Sequence, residues 1–82
     1  MNLYIVMKQV GRENYDGLVW ANTPNEAAYL WKQADWVIDD IEEEADRIPE
    51  RIFHIPAVPP LDVILKGPHL LAWWTDELPE VQ

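Results

Sequence analysis

From Pro24 to Ile48 the chain has no Gly, and its only Pro is the first residue. Its apolar residues recur by fours and threes, at Ala27, Trp31, Ala34, Ile38, Ile41, Ala45 and Ile48. That is one continuous stripe on a helix. Thr23 can cap the start, Pro24 fits the first helical position, and Glu26 stands where a capping-box acid reaches back. Length argues against a single rod, since about 25 residues of helix run roughly 37 Å, longer than a small domain is wide. Asp35 offers a second cap, so residues 24–47 read as helical, either unbroken or kinked near Asp35. Either form needs a sheet beneath its apolar face.

The rest of the chain supplies one. Residues 2–10 are rich in β-branched and aromatic residues, with Leu3, Ile5 and Met7 alternating against Tyr4, Val6 and Lys8. Both sets begin apolar, which suits an interior strand. Turn residues Gly11 to Asn14 lead to a second strand over 15–22, a hairpin partner in which Gly17 marks a bulge. Pro49 stops the helical region, Arg51 to Ile55 form a third strand, and Pro56 ends it. Residues 57–68, with Pro59-Pro60 and Gly67-Pro68, read as an extended loop, and 69–75 as a fourth strand. Residues 76–82 are an acidic tail.

The order ββαββ predicts an α+β fold. A mainly antiparallel four-stranded sheet carries one long or kinked helix on one face, in a single domain spanning residues 1–82. Trp20, Trp31, Phe53 and one of Trp73 or Trp74 are the natural core aromatics. Neighbours on a strand point to opposite faces, so Trp73 and Trp74 cannot both meet the helix.

Composition narrows the function classes. There is no Cys, so neither a disulfide framework nor a thiolate metal site can form. The apolar start, Leu3 to Met7, is too short for a signal peptide, and no run approaches the ~20 residues of a membrane span. A soluble protein of the cytoplasm is expected. Fifteen acids against six bases give a net charge of −9, which repels nucleic acid and membranes and favours a basic protein partner.

Candidate chemistry is sparse. With neither Ser nor Cys, the two commonest covalent nucleophiles are missing, so no catalytic residue is assigned. His54 and His69 stand on the two C-terminal strands and could face each other as metal ligands with Asp62, but their spacing fits no ligand motif. The run Asp39 to Glu44 lacks the alternating oxygens and central Gly of a calcium loop. No metal and no cofactor is assigned.

The acidic run is the strongest feature. Asp35, Asp39, Asp40, Glu42, Glu43, Glu44 and Asp46 place seven acids in residues 35–46. On one helix this is about one charge per 2.6 Å of axis, comparable with the ~3.4 Å phosphate spacing of a DNA strand. Asp35, Asp39, Glu42 and Asp46 would share a stripe with Asp40 and Glu43 beside it. The plain alternative is a solvated face that aids solubility. Trp36 is an interface anchor if the helix runs through it, and ordinary core if the chain turns at Asp35.

The series Leu3-Tyr4-Ile5-Val6, Tyr15-Asp16, Val19-Trp20-Ala21 and Thr23-Pro24-Asn25-Glu26-Ala27 resembles small proteins of bacteriophages and prophages. The resemblance covers the first third of the chain and carries no catalytic residues. It implies a phage-type genome and a bacterial cytoplasm, where small acidic proteins inhibit host defence or DNA-handling machinery. The expected function is therefore non-enzymatic. Asp35, Trp36, Asp39, Asp40, Glu42, Glu43 and Asp46 would bind a basic host protein or nucleoprotein complex, as an anti-CRISPR or anti-restriction DNA mimic does. The alternative is an assembly protein, a homodimer or larger oligomer formed through the sheet face opposite the helix.

Overall fold

A computed structural model describes residues 1–73, with residues 72 and 73 described by their backbone path. The predicted strand at 74–75, the tail 76–82 and the side chains of Trp73 and Trp74 lie outside the described residues. Strand β1 (Asn2–Met7) is followed by a two-stranded ribbon, β2 (Gln9–Val10) and β3 (Glu13–Asn14), and then by β4 (Gly17–Ala21). Helices α1 (Pro24–Lys32) and α2 (Asp35–Asp40) follow, then a single 3-10 turn, Glu44–Asp46. Strand β5 (Arg51–Ile55), helix α3 (Leu61–Lys66) and β6 (His69–Trp73) complete the described chain.

The expected four-stranded antiparallel sheet is present, in the order β5-β1-β4-β6. β1, apolar on both faces, lies in the interior, with Tyr4 opposite Val19 on one side and His54 on the other. Gly17 marks the expected irregularity, because the β4–β6 register shifts between Gly17 and Val19. The predicted strand 2–10 divides at Lys8. There the Lys8 N–H donates to Asp16 Oδ1 at 3.1 Å and the Tyr15 N–H donates to the Lys8 carbonyl at 2.8 Å. Beyond this clamp the ribbon projects past the sheet, turning at Gly11, whose φ of 62° suits Gly far better than other residues.

The helical region is two helices rather than one rod. Thr23 caps α1 by accepting the Glu26 N–H at 3.1 Å, and Glu26 accepts the Asn22 N–H at 2.8 Å, one residue earlier than in the usual capping box. α1 ends at Gln33, and Ala34 is extended at φ −66°, ψ 137°. A continuous helix would overshoot six-residue strands only about 20 Å long, and the break folds α2 back onto the core. It also rotates the stripe. Val37, not Ile38, becomes fully buried, and Ala45 and Ile48 are exposed.

Both faces of the sheet carry a buried cluster. Tyr4, Val6, Val19 and Ala21 pack under Ala27, Trp31, Ala34, Val37 and Ile41 on the α1–α2 side. Leu3, Leu18 and Trp20 form a second cluster on the other side, joined by Ile5, Ile55, Ala57, Val63 and Leu71. Trp20 and Trp31 are thus core residues of opposite faces. Two expectations are corrected here. Residues 57–68 are not all loop, since α3 forms behind Pro60, with Asp62 in its first turn and Lys66 in its last. Phe53 is not core, because its register with Ile5 points it away from α1 on an edge strand, where it is half exposed.

Candidate acidic groove

Like charges three and four apart disfavour a helix, and Asp39 and Asp40 sit at the C-terminal end of α2, where the helix dipole opposes them. The helix duly ends there. Ile41 leaves the helical region at φ −114°, ψ 84°, so Glu42 and Glu43 lie outside any helix and Asp46 lies on the 3-10 turn. The expected stripe of Asp35, Asp39, Glu42 and Asp46 along one helix face is therefore not formed, and the helical charge spacing does not apply.

The loop has a defined shape instead. Arg47 folds back over the end of α2, its Nε donating to the Ile41 carbonyl at 2.7 Å and its Nη2 to the Glu42 carbonyl at 2.6 Å. These satisfy the carbonyls of the helix's C-cap residue and of the loop residue that follows it. Ile41 remains buried as the loop's anchor. The one base in the acidic region is thus engaged by backbone oxygens. Among the described residues, the ion pair formed is Lys32 Nζ to Glu44 Oε1 at 3.3 Å, between a partly buried lysine and an exposed glutamate.

Facing this loop is the projecting ribbon. Together they enclose an open groove of about 770 Å³, lined by Lys8, Gln9, Val10 and Gly11 on one side and by Asp40, Ile41, Glu42, Glu43, Ala45, Asp46 and Ile48 on the other. Four of the predicted site residues, Asp40, Glu42, Glu43 and Asp46, meet here. Ile48, 62% exposed, and the exposed Val10 add an apolar element that the linear sequence did not bring together. Asp35 and Asp39 stay outside the groove on α2. Asp40 also approaches Tyr15. Burial first, then the Asp40 charge and its hydrogen bond to the phenol, raise the Tyr15 pKa above its ordinary value, with Glu13 adding to the effect.

Trp36 takes the core alternative. It is partly buried against the α1–α2 cluster, near enough to β4 that a Cβ added at Gly17 would lie 3.3 Å from its Cη2. The two histidines are separated. β5 and β6 are opposite edges of the sheet with two strands between them, and the registers place His54 across from Tyr4 on the α1–α2 face and His69 paired with Trp20 on the other face. His54 stacks at a tilt on Tyr4, with centroids 5.6 Å apart, and His69 Nδ1 lies 2.7 Å from the Gly67 carbonyl oxygen. A shared metal site is incompatible with that topology. No group of three or more His, Asp and Glu among the described residues is placed to hold a metal, and no helix among them is long and apolar enough to cross a membrane.

No family model matches the chain, and no similar curated protein or solved structure is found.

Proposed function

We propose that this chain is a non-enzymatic binding protein whose acidic groove holds a cationic segment of a partner protein. The observation that carries the reading is the groove itself, where four carboxylates and exposed Ile48 on one wall face exposed Val10 on the other. That composition suits Lys or Arg side chains interleaved with aliphatic ones. Carboxylates supply attraction and steering, and the apolar residues supply contact area that bare charge lacks. Nucleic acid carries the wrong sign of charge for such a site.

The most concrete partner is a basic, nucleic-acid-handling complex of a bacterial host, which the chain would inhibit as an anti-defence protein of phage type. This extension rests on the sequence resemblance and on the net charge of −9. The mode differs from a helical imitation of DNA: the carboxylates converge on a groove, so capture of one protruding basic segment fits better than mimicry of a phosphate rail.

The test uses a tagged chain against host lysate, washed at low and then high salt, beside the variant Glu42→Lys, Glu43→Lys, Asp46→Lys. These three residues are exposed, so the fold should persist. The expected result is a basic protein complex released by salt and absent from the variant. Equal capture by the variant would sink the reading.

A further inference from the structure

Helix α3 presents its apolar side to solvent. Val63 packs on the Leu3, Leu18 and Trp20 cluster. Leu61, Ile64 and Leu65 point elsewhere, at 71%, 55% and 78% exposed, and the neighbouring Val58 is more exposed still. At 100° per residue, Ile64, Leu61 and Leu65 share an arc of about 100° on the side away from Val63. An amphipathic surface helix ordinarily turns its apolar arc inward. Here the arc faces out, while Val63 alone of the helix's apolar residues packs on the Leu3, Leu18 and Trp20 cluster beneath.

The charges around this arc select an occupant. Asp62 and Lys66 are one turn apart on the same flank of α3, and neither forms an ion pair among the described residues. If a second α3 lies antiparallel across the first about a two-fold axis, the same flanks come to the same side with their order reversed. Asp62 of each copy then faces Lys66 of the other. The patch is complementary to itself in charge as well as in apolarity, which an isologous interface requires.

Two further facts agree. Association of a chain of net charge −9 is opposed by self-repulsion. Residues 51–73 carry Arg51, Lys66 and Asp62 as their charged groups, whereas the acids of 35–46 lie on the other side of the sheet. Among the described residues, the α3 face thus carries fewer acids than the α1–α2 face. Each exposed aliphatic side chain carries roughly 100 Å² of apolar surface. Leu61, Ile64 and Leu65 on both copies give about 600 Å², and the polar flanks and lead-in residues raise the total toward the ~1,200 Å² of the smaller specific interfaces.

We propose that the chain forms a two-fold dimer through antiparallel α3 helices, with Leu61, Ile64 and Leu65 at its centre and reciprocal Asp62–Lys66 ion pairs at its flanks. The groove lies at the Lys8 end of β1 and α3 beneath the Leu3 end, so the dimer leaves both grooves open. The proposal is independent of what the grooves bind.

Sedimentation of the full chain over a concentration series tests it. The expected result is a monomer–dimer equilibrium that Leu65→Glu weakens at least tenfold, with unchanged circular dichroism showing that the fold persists. Asp62→Lys and Lys66→Asp should each weaken self-association, and an equimolar mixture of the two variants should associate again, because each supplies the charge the other lacks. A wild-type monomer at every concentration, or a dimer indifferent to Leu65→Glu, would overturn the interface. Failure of the mixed variants to associate would overturn the antiparallel register.

Discussion

The Trp31 indole donates its Nε1 hydrogen to the Tyr15 carbonyl at 2.6 Å, inside the core. This bond ties the last turn of α1 to the corner where the hairpin returns to the sheet. Tyr15 is held from its other side by its own N–H on the Lys8 carbonyl, and Asp16 by the Lys8 N–H. Helix, sheet and projecting ribbon therefore share one junction. The ribbon is a wall of the groove, so the junction fixes the site as well as the core.

Trp31→Phe keeps an aromatic ring but leaves the Tyr15 carbonyl without its donor. An unsatisfied buried acceptor costs about 1–3 kcal/mol, and the lost volume adds to it. The expected loss is about 3 kcal/mol by urea denaturation, a large fraction of a small domain's stability. Tyr29→Phe, on the exposed side of α1, should change stability by less than about 0.5 kcal/mol.

Gly17 is set by space rather than by backbone conformation. An added Cβ would lie 3.1 Å from Trp31 Cδ1 and 3.3 Å from both Leu70 Cδ1 and Trp36 Cη2. Three large side chains close over that strand position; the Leu70 methyl can turn aside, but the two indoles yield only by moving packed rings. Gly17→Ala should cost about 1 kcal/mol and Gly17→Val about 2–3 kcal/mol, read from thermal denaturation. A stabilised Gly17→Ala would show that the rings over β4 are loosely packed.

What the sequence disclosed follows the strength of each local signal. β5 was legible to the residue because Pro49 and Pro56 bracket Arg51 to Ile55, and the start of α1 because Thr23, Pro24 and Glu26 all mark it. The break at Ala34 was harder, since no Gly or Pro marks it and the apolar spacing runs through it. The mismatch between helix length and sheet width foretold it, together with Asp35 read as a cap, although Ala34 takes the cap position and Asp35 is the first helical residue. α3 was missed because six residues are too few for periodicity to register beside Pro59-Pro60, although Asp62, Lys66 and Gly67 are the charges and stop of a helix. The groove was half legible: its carboxylates were singled out, but Val10 comes from a ribbon more than thirty residues away, and only the fold brings it there.

Alkaline pH should destabilise the protein through Tyr15. Its folded pKa is raised, so the folded state keeps the phenolic proton at a pH where the unfolded chain has begun to lose it. The stabilisation is complete below the unfolded value near pH 10 and is lost as pH rises through the folded one. Absorbance titration of the phenolates should show one late-titrating group that disappears in Tyr15→Phe. Asp40→Asn should lower that group's pKa without normalising it, because burial is the larger cause. A Tyr15 that titrates with exposed tyrosines would mean that neither its burial nor the Asp40 contact is held in solution.

Arg47 separates charge from shape in the groove. Its guanidinium neutralises one acid's worth of charge but spends its hydrogen bonds on the Ile41 and Glu42 carbonyls. Arg47→Gln makes residues 35–48 more negative and removes a charge-assisted clamp worth about 1.5–3 kcal/mol. If charge alone attracts the cationic partner, this variant should bind more tightly. If the convergence of Glu42, Glu43 and Asp46 around Ile48 matters, it should bind more weakly despite its added charge. The groove reading predicts the second outcome, with faster amide exchange over residues 41–47 as the structural correlate. Tighter binding by Arg47→Gln would reduce the site to a diffuse field, in which Asp35 and Asp39 count as much as the carboxylates of the groove.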